Sequence, residues 1–154
     1  MPRLDSIDHK LLQALQEDAR SSNADLARHV QLSPSGLQKR LKRLESGGYI
    51  DSYTTLLNRK RLGLGLQCFV HVSLRHDGLE STENFEASME DVPYVQECYR
   101  LTGEDDYLVK LIVEDVDHLQ QLLREQFSSV PAVRKYRTSI MLQKIKETTH
   151  LPIP

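Results

Sequence analysis

Four cationic side chains, Lys39, Arg40, Lys42 and Arg43, fall within five positions of the stretch "SPSGLQKRLKRLE", residues 33 to 45, between regularly spaced leucines. Guanidinium and ammonium groups set this closely neutralise and grip phosphate. On a helix that turns about 100° per residue, Leu37, Leu41 and Leu44 form one stripe, while Ser35, Lys39, Lys42, Arg43 and Ser46 point the other way, with Gln38 and Arg40 on the flanks. No acid accompanies the cationic face. Ser33 and Ser35, small and polar, leave backbone N–H groups at the helix start open to a phosphate. Ser33, Ser35, Gln38, Lys39, Arg40, Lys42 and Arg43 are therefore the candidate surface for double-stranded DNA. The competing reading is an amphipathic helix with a solvated charged face.

A surface of this kind must be held by other elements, and the preceding residues supply them. In "LDSIDHKLLQALQEDAR" the apolar Ile7, Leu11, Leu12, Leu15 and Ala19 recur at helical spacing, with Asp5 or Ser6 as cap. In "SSNADLARHV", Ser22 stands three residues before Asp25 as in a capping box, ahead of Leu26, Ala27 and Val30. After only two more residues, Ser33 and Pro34 open a third helix, which Gly47 and Gly48 stop. Two short helices joined by so tight a turn make a helix-turn-helix, and the β-branched and aromatic "YIDSYTTLLN" that follows reads as a strand, a wing.

Charge divides along the same line. The whole chain carries a net charge of −2, yet residues 1 to 61 hold 11 basic and 7 acidic side chains, and residues 62 to 154 hold 9 and 15. An anionic polymer would meet the first part. With 154 residues, 39% of them hydrophobic, the chain has apolar material for one or two small cores. Every apolar run is short and broken by charge, so neither a membrane span nor a signal peptide is expected, and the protein is expected in the cytoplasm. Cys68 and Cys98 lie in strand-like runs and read as small buried hydrophobes.

From about residue 64 the period alternates. "LGLQCFVHVSLR" reads as strand, "STENFEASMEDV" as helix, "YVQECYRLTG" and "DYLVKLIVED" as strands, "VDHLQQLLREQFSSV" as helix and "AVRKYRTSIMLQKI" as strand. The order β-α-β-β-α-β specifies an α+β ferredoxin-like sandwich with both helices on one face of an antiparallel sheet. From Tyr107 to Val113 both alternate sets of side chains are apolar except Lys110, so the second face is expected to meet another copy, giving a homodimer at least. The expected organisation is a winged helix-turn-helix over 1–52, a strand and linker over 53–65, the ferredoxin-like domain over 66–145 and a tail over 146–154.

The runs "LSPSGLQKRLKRLESGGYIDSY", "LGL", "VQECYRLTGEDDYLVKLIVED" and "VPAVRKYRTSIML", in this order and spacing, resemble the leucine-responsive and asparagine-responsive regulator family, Lrp/AsnC, from Leu4 to about Leu151. The resemblance implies a transcription factor whose winged helix-turn-helix binds promoter DNA and whose second domain, called RAM, dimerises and assembles into octamers or similar rings. It also implies an effector, usually an amino acid, bound between dimers. The implied effector residues are Thr102, Gly103, Asp105, Asp106 and Tyr107 of the loop, with Thr138, Ser139 and Met141 of the last strand. Glu104 stands where many members carry Asp.

An amino-acid zwitterion needs acceptors for its ammonium and donors for its carboxylate, which Asp105, Asp106, threonine hydroxyls and the backbone beside Gly103 can supply. Spacing alone favours reading "TGEDDY" as a tight connection between strands, and the resemblance brings the ligand site level with it. No cofactor is implied: the six histidines are scattered without metal spacing, and P-loop, G-x-S-x-G and dinucleotide fingerprints are lacking. His71 and His118 read as structural. Two alternatives share the architecture: a sirohaem-decarboxylase-like enzyme, which would take up a haem-like pigment, and an architectural DNA-binding protein indifferent to amino acids.

Overall fold

The computed structural model describes residues 4–75 and 79–153. The chain divides into two compact units: residues up to Leu56 together with those from Lys146 onward, and Leu57–Ile145.

The first unit is built on α1 (Ser6–Glu17), α2 (Asn23–His29) and α3 (Pro34–Ser46). Each start is satisfied by a side chain. Asp5 accepts from the N–H groups of Ile7 and Asp8, and the Asp8 carboxylate accepts in return from the Asp5 N–H, a complete capping box. Ser22 caps α2 by accepting from the Asp25 N–H, and Ser33 caps α3 by accepting from the Gly36 N–H, with Pro34 in the first turn. Between α2 and α3 the turn is tight enough to put Gln31 at φ 55°, a left-handed conformation. At the far end of α3 a Cβ on Gly47 would stand 2.8 Å from the Arg43 carbonyl oxygen, and Gly48 has φ +70°, so the two glycines end the helix as expected. Leu11, Leu26, Ala27, Val30, Leu37 and Leu44 close the core.

The expected wing strand does not form. Residues 51–58 carry no regular structure, and Tyr53, Leu56 and Leu57 are exposed. A strand is stabilised by a ladder partner, and this unit has no other strand among its described residues to provide one.

The second unit runs β1 (Leu66–Leu74), α4 (Leu79–Glu90), β2 (Val95–Arg100), β3 (Tyr107–Val113), α5 (Val116–Leu123) and β4 (Val133–Ile140). The sheet is antiparallel, ordered β2-β3-β1-β4, the ferredoxin-like arrangement the alternation predicts. Cys68, Val70, Val72 and Leu74 of β1 and Val109, Leu111 and Val113 of β3 meet Phe85 and Met89 of α4 and Leu119, Leu122 and Phe127 from the second helical segment. The opposite face carries half-buried Phe69, Leu108 and Ile112, with Lys110 paired to Glu97 of β2. Three expectations are corrected. The second helical segment does not stay α-helical to its end but widens into a π-helical turn at Arg124–Ser128. β4 stops at Ile140, which pairs with Cys68 near the start of β1, so residues 141–145 have little β1 left to pair with, and Leu142 and Ile145 are exposed. Cys68 is buried, but Cys98 is exposed on the edge strand β2 and is not the buried hydrophobe expected.

Leu37 is fully buried beneath α3. Leu37→Ala should destabilise the first unit by roughly 2–5 kcal/mol, read from the midpoint of urea unfolding.

Candidate nucleic-acid interface and effector loop

α3 turns Leu37 and Leu44 fully inward and leaves Ser33, Ser35, Gln38, Lys39 and Lys42 exposed. Among the described residues Lys39 and Lys42 have no ion-pair partner. Their ammonium groups project from a helix narrow enough to enter a major groove. Ser33 has a second duty, since its hydroxyl already caps Gly36 at 3.1 Å.

Arg40 and Arg43 sit differently: α3 itself carries no acid on its cationic face, but two acids of the α1 start meet these arginines. Arg40 donates to Asp5 at 2.7 Å and to Asp8 Oδ1 at 2.8 Å, and Arg43 donates to Asp8 Oδ2. The Asp8 side chain is 0% exposed, whereas Arg40 and Arg43 keep 24% and 43%. Both carboxylate oxygens of a buried acid on α1 are thus held by the two arginines of α3. The physical reason is desolvation: a carboxylate removed from water needs charged donors on its lone pairs, and guanidinium groups meet that need better than ammonium groups. Asp5 titrates well below the ordinary carboxylate, at about 2 against 3.8, chiefly because the Asp8 N–H donates to it and next because Arg40 does. Asp5 and Asp8 in turn raise the Arg40 guanidinium above its ordinary value, so it stays charged. Thirty-two residues separate Asp8 from Arg40, and in the sequence Asp8 shows only as an acid in a first helical turn.

The loop between β2 and β3 is also partly committed to structure. Thr102, Gly103 and Glu104 are exposed, with Gly103 at φ +131°, where a side chain is disfavoured. Asp106 accepts from the Leu74 N–H at 2.7 Å, and its own N–H donates to the Val72 carbonyl at 2.8 Å, pinning the loop to the end of β1. Asp105 meets Nδ1 of His71 at 3.2 Å, Arg137 at 3.6 Å and the Ser73 hydroxyl at 3.3 Å. Tyr107 does not open onto the loop surface: it is buried, its ring packs on Phe85, and its hydroxyl donates to Glu86. Burial and the Glu86 carboxylate push the Tyr107 phenol upward. It also lines a cleft of about 420 Å³ with Glu86, Cys98 and Arg100.

The expected effector residues are not gathered into one pocket on one chain. Thr138 pairs with Val70 and Ser139 with Phe69, so the two point to opposite faces of the sheet. The Met141 N–H donates to Gln67, five positions along β1 from the Val72 that holds Asp106, a separation of about 17 Å. His71, Ser73 and Arg137, which hold Asp105, were not foreseen; their proximity comes from sheet register, which no local spacing signals. Among the described residues no group of three or more His, Cys, Asp or Glu side chains is placed to hold a metal ion, and no helix is long and apolar enough to cross a membrane.

Comparison with known proteins assigns both units. Residues 4–51 match the winged helix-turn-helix DNA-binding family model and residues 67–151 match the Lrp/AsnC ligand binding domain. Fold and matched regions define a DNA-binding regulator that carries its ligand-binding domain on the same chain. The chain belongs to the Lrp/AsnC family of transcriptional regulators. It is 37% identical over 150 residues to the leucine-responsive regulatory protein of Salmonella typhimurium, covering 97% of this chain and 92% of that protein. It is 36% identical over the same length and coverage to that of Escherichia coli strain K12. The crystal structure of a Neisseria meningitidis transcriptional regulator in complex with L-methionine is similar with a TM-score of 0.92 and 39% identity, covering 97% of each chain.

Asp8→Ala should remove the shared acceptor of two partly exposed arginines and lower stability by roughly 1.5–3 kcal/mol in urea unfolding. The Asp5 contribution follows its lowered pKa: it is complete above the unfolded value of 3.8 and is lost as pH falls through about 2. Asp5→Asn should therefore be less stable than the parent at pH 7, and the gap should shrink between about pH 4 and pH 2.

Proposed function

We propose that this protein binds promoter DNA as a homo-oligomer in the cytoplasm through paired copies of α3, and that a small amino acid bound between dimers of the second unit regulates it. The observation that carries the DNA reading is the exposed row of Ser35, Gln38, Lys39 and Lys42 on a helix whose two arginines are anchored behind it. Lys39 and Lys42 reach phosphates or base edges, Gln38 offers an amide to a base, and Ser33 and Ser35 mark the helix start near the backbone. Arg43, still 43% exposed, meets DNA from the rim while bonded to Asp8. Arg40 serves mainly to hold α3.

Oligomerisation follows from what a single chain leaves unfinished. Among the described residues no helix covers the sheet face bearing Phe69, Leu108 and Ile112, and residues 51–58 and 141–145, without regular structure, expose Leu56, Leu57, Leu142 and Ile145. The roughly 17 Å between the loop and Met141, and the opposite faces taken by Thr138 and Ser139, support an effector site completed by another copy in an octamer or similar ring. The L-methionine complex of the Neisseria regulator makes methionine, with leucine, the first ligand to try. Asp105 is the acceptor best placed for an ammonium group, since Asp106 is bound to the end of β1. Ligand energy that differs between assembly states would set the regulatory effect.

Lys39→Ala and Lys42→Ala should each weaken promoter binding and, where the side chain meets phosphate, reduce the slope of log affinity against log salt by about one. Unchanged gel shifts for both would reject the assignment. Saturating L-methionine or L-leucine should raise the melting temperature of the parent but not of Asp105→Asn. No response to any of the twenty amino acids would favour the architectural alternative.

A further inference from the structure

The C-terminal segment belongs structurally to the first unit. The side-chain amide of Gln16, near the end of α1, donates to the Leu151 carbonyl at 3.2 Å, and its oxygen accepts from the Leu151 N–H at 2.6 Å. A primary amide thus reads both backbone groups of one residue 135 positions away, as a neighbouring strand would. Leu12, Leu15 and Ile50 line the apolar side of a cleft of about 550 Å³, which the tail borders with Leu151, still exposed, and half-buried Ile153.

Local chemistry prepares this segment to sit there. The His150 N–H donates to the Thr148 hydroxyl, a short turn that aims the chain, and Pro152 biases Leu151 toward the extended conformation in which its N–H and carbonyl are both presented. Pro152 narrows the set of conformations that the segment gives up on docking. The partly open cleft keeps the seat weaker than a packed core.

We propose that residues 146–153 form a strap that docks in cis on the first unit of their own chain and sets how firmly α1 is held. The consequence reaches α3, because the same helix carries Asp8 about two turns away and is capped by Asp5 about three turns away, and these hold Arg40 and Arg43. The strap begins five residues after Met141, so the end of β4 and the stability of α1 are joined by a short covalent lead. The strap does not depend on which effector binds, and its test needs neither effector nor DNA.

Hydrogen exchange on the full-length protein tests it with two variants: Gln16→Met, which keeps the volume and removes both bonds, and a chain ended after Glu147. In both, peptides from Leu11 to Glu17 should exchange several-fold faster, while those from β1 and β3 keep their parent rates. Unchanged α1 exchange in Gln16→Met would overturn the proposal. A photoreactive benzoyl-phenylalanine in place of Ile153, in a co-refolded mixture of light and heavy-isotope chains, then identifies the seat. Cross-linked peptides should pair α1 and the tail with the same isotope. Mixed-isotope pairs would place the tail on a partner copy and overturn docking in cis.

Discussion

A carboxylate buried between two guanidinium groups governs the first unit. Asp8 is out of water on α1, and both of its oxygens are occupied by Arg40 and Arg43 of α3. Such an arrangement adds less to net stability than its charges suggest, because desolvation offsets much of the attraction. What it supplies is orientation. A stripe of leucines lets a helix roll by part of a turn, whereas two directional forks on one fixed acid do not. With the roll fixed, Lys39 and Lys42 point outward together, and the four clustered cations divide into two that anchor and two that are free to meet an anion.

In the second unit the antiparallel register has the corresponding role. β1 lies between β3 and β4, so each of its residues fixes what stands beside it on both sides. The register brings His71, Ser73 and Arg137 to Asp105, and it sends Thr138 and Ser139 to opposite faces. Arg137 of β4 thereby reaches the loop, whereas Met141, just past the end of β4, lies along Gln67 and away from it.

The helical boundaries of the first unit were readable because their signals are local: Asp5, Ser22, Ser33 with Pro34, and Gly47 with Gly48 each act within four residues. The β-α-β-β-α-β order was readable for the same reason. Long-range pairing was not. Asp8 and Arg43 are 35 residues apart, and a first-turn acid looks the same whether it faces water or an arginine. "YIDSYTTLLN" has strand composition but lacks a ladder partner within its unit, and composition does not report a partner. Cys98 shares the apolar context of Cys68, yet an edge strand exposes what a central strand buries.

The central claim is that α3, fixed by Asp8, presents Lys39 and Lys42 to a duplex. Lysine acetylation of the full-length protein, followed residue by residue with and without a promoter fragment, tests it most directly. DNA should shield Lys39 and Lys42 strongly, and the shielding should fade as salt is raised. Equal labelling of both lysines in free protein and in a complex shown to be intact would contradict the account.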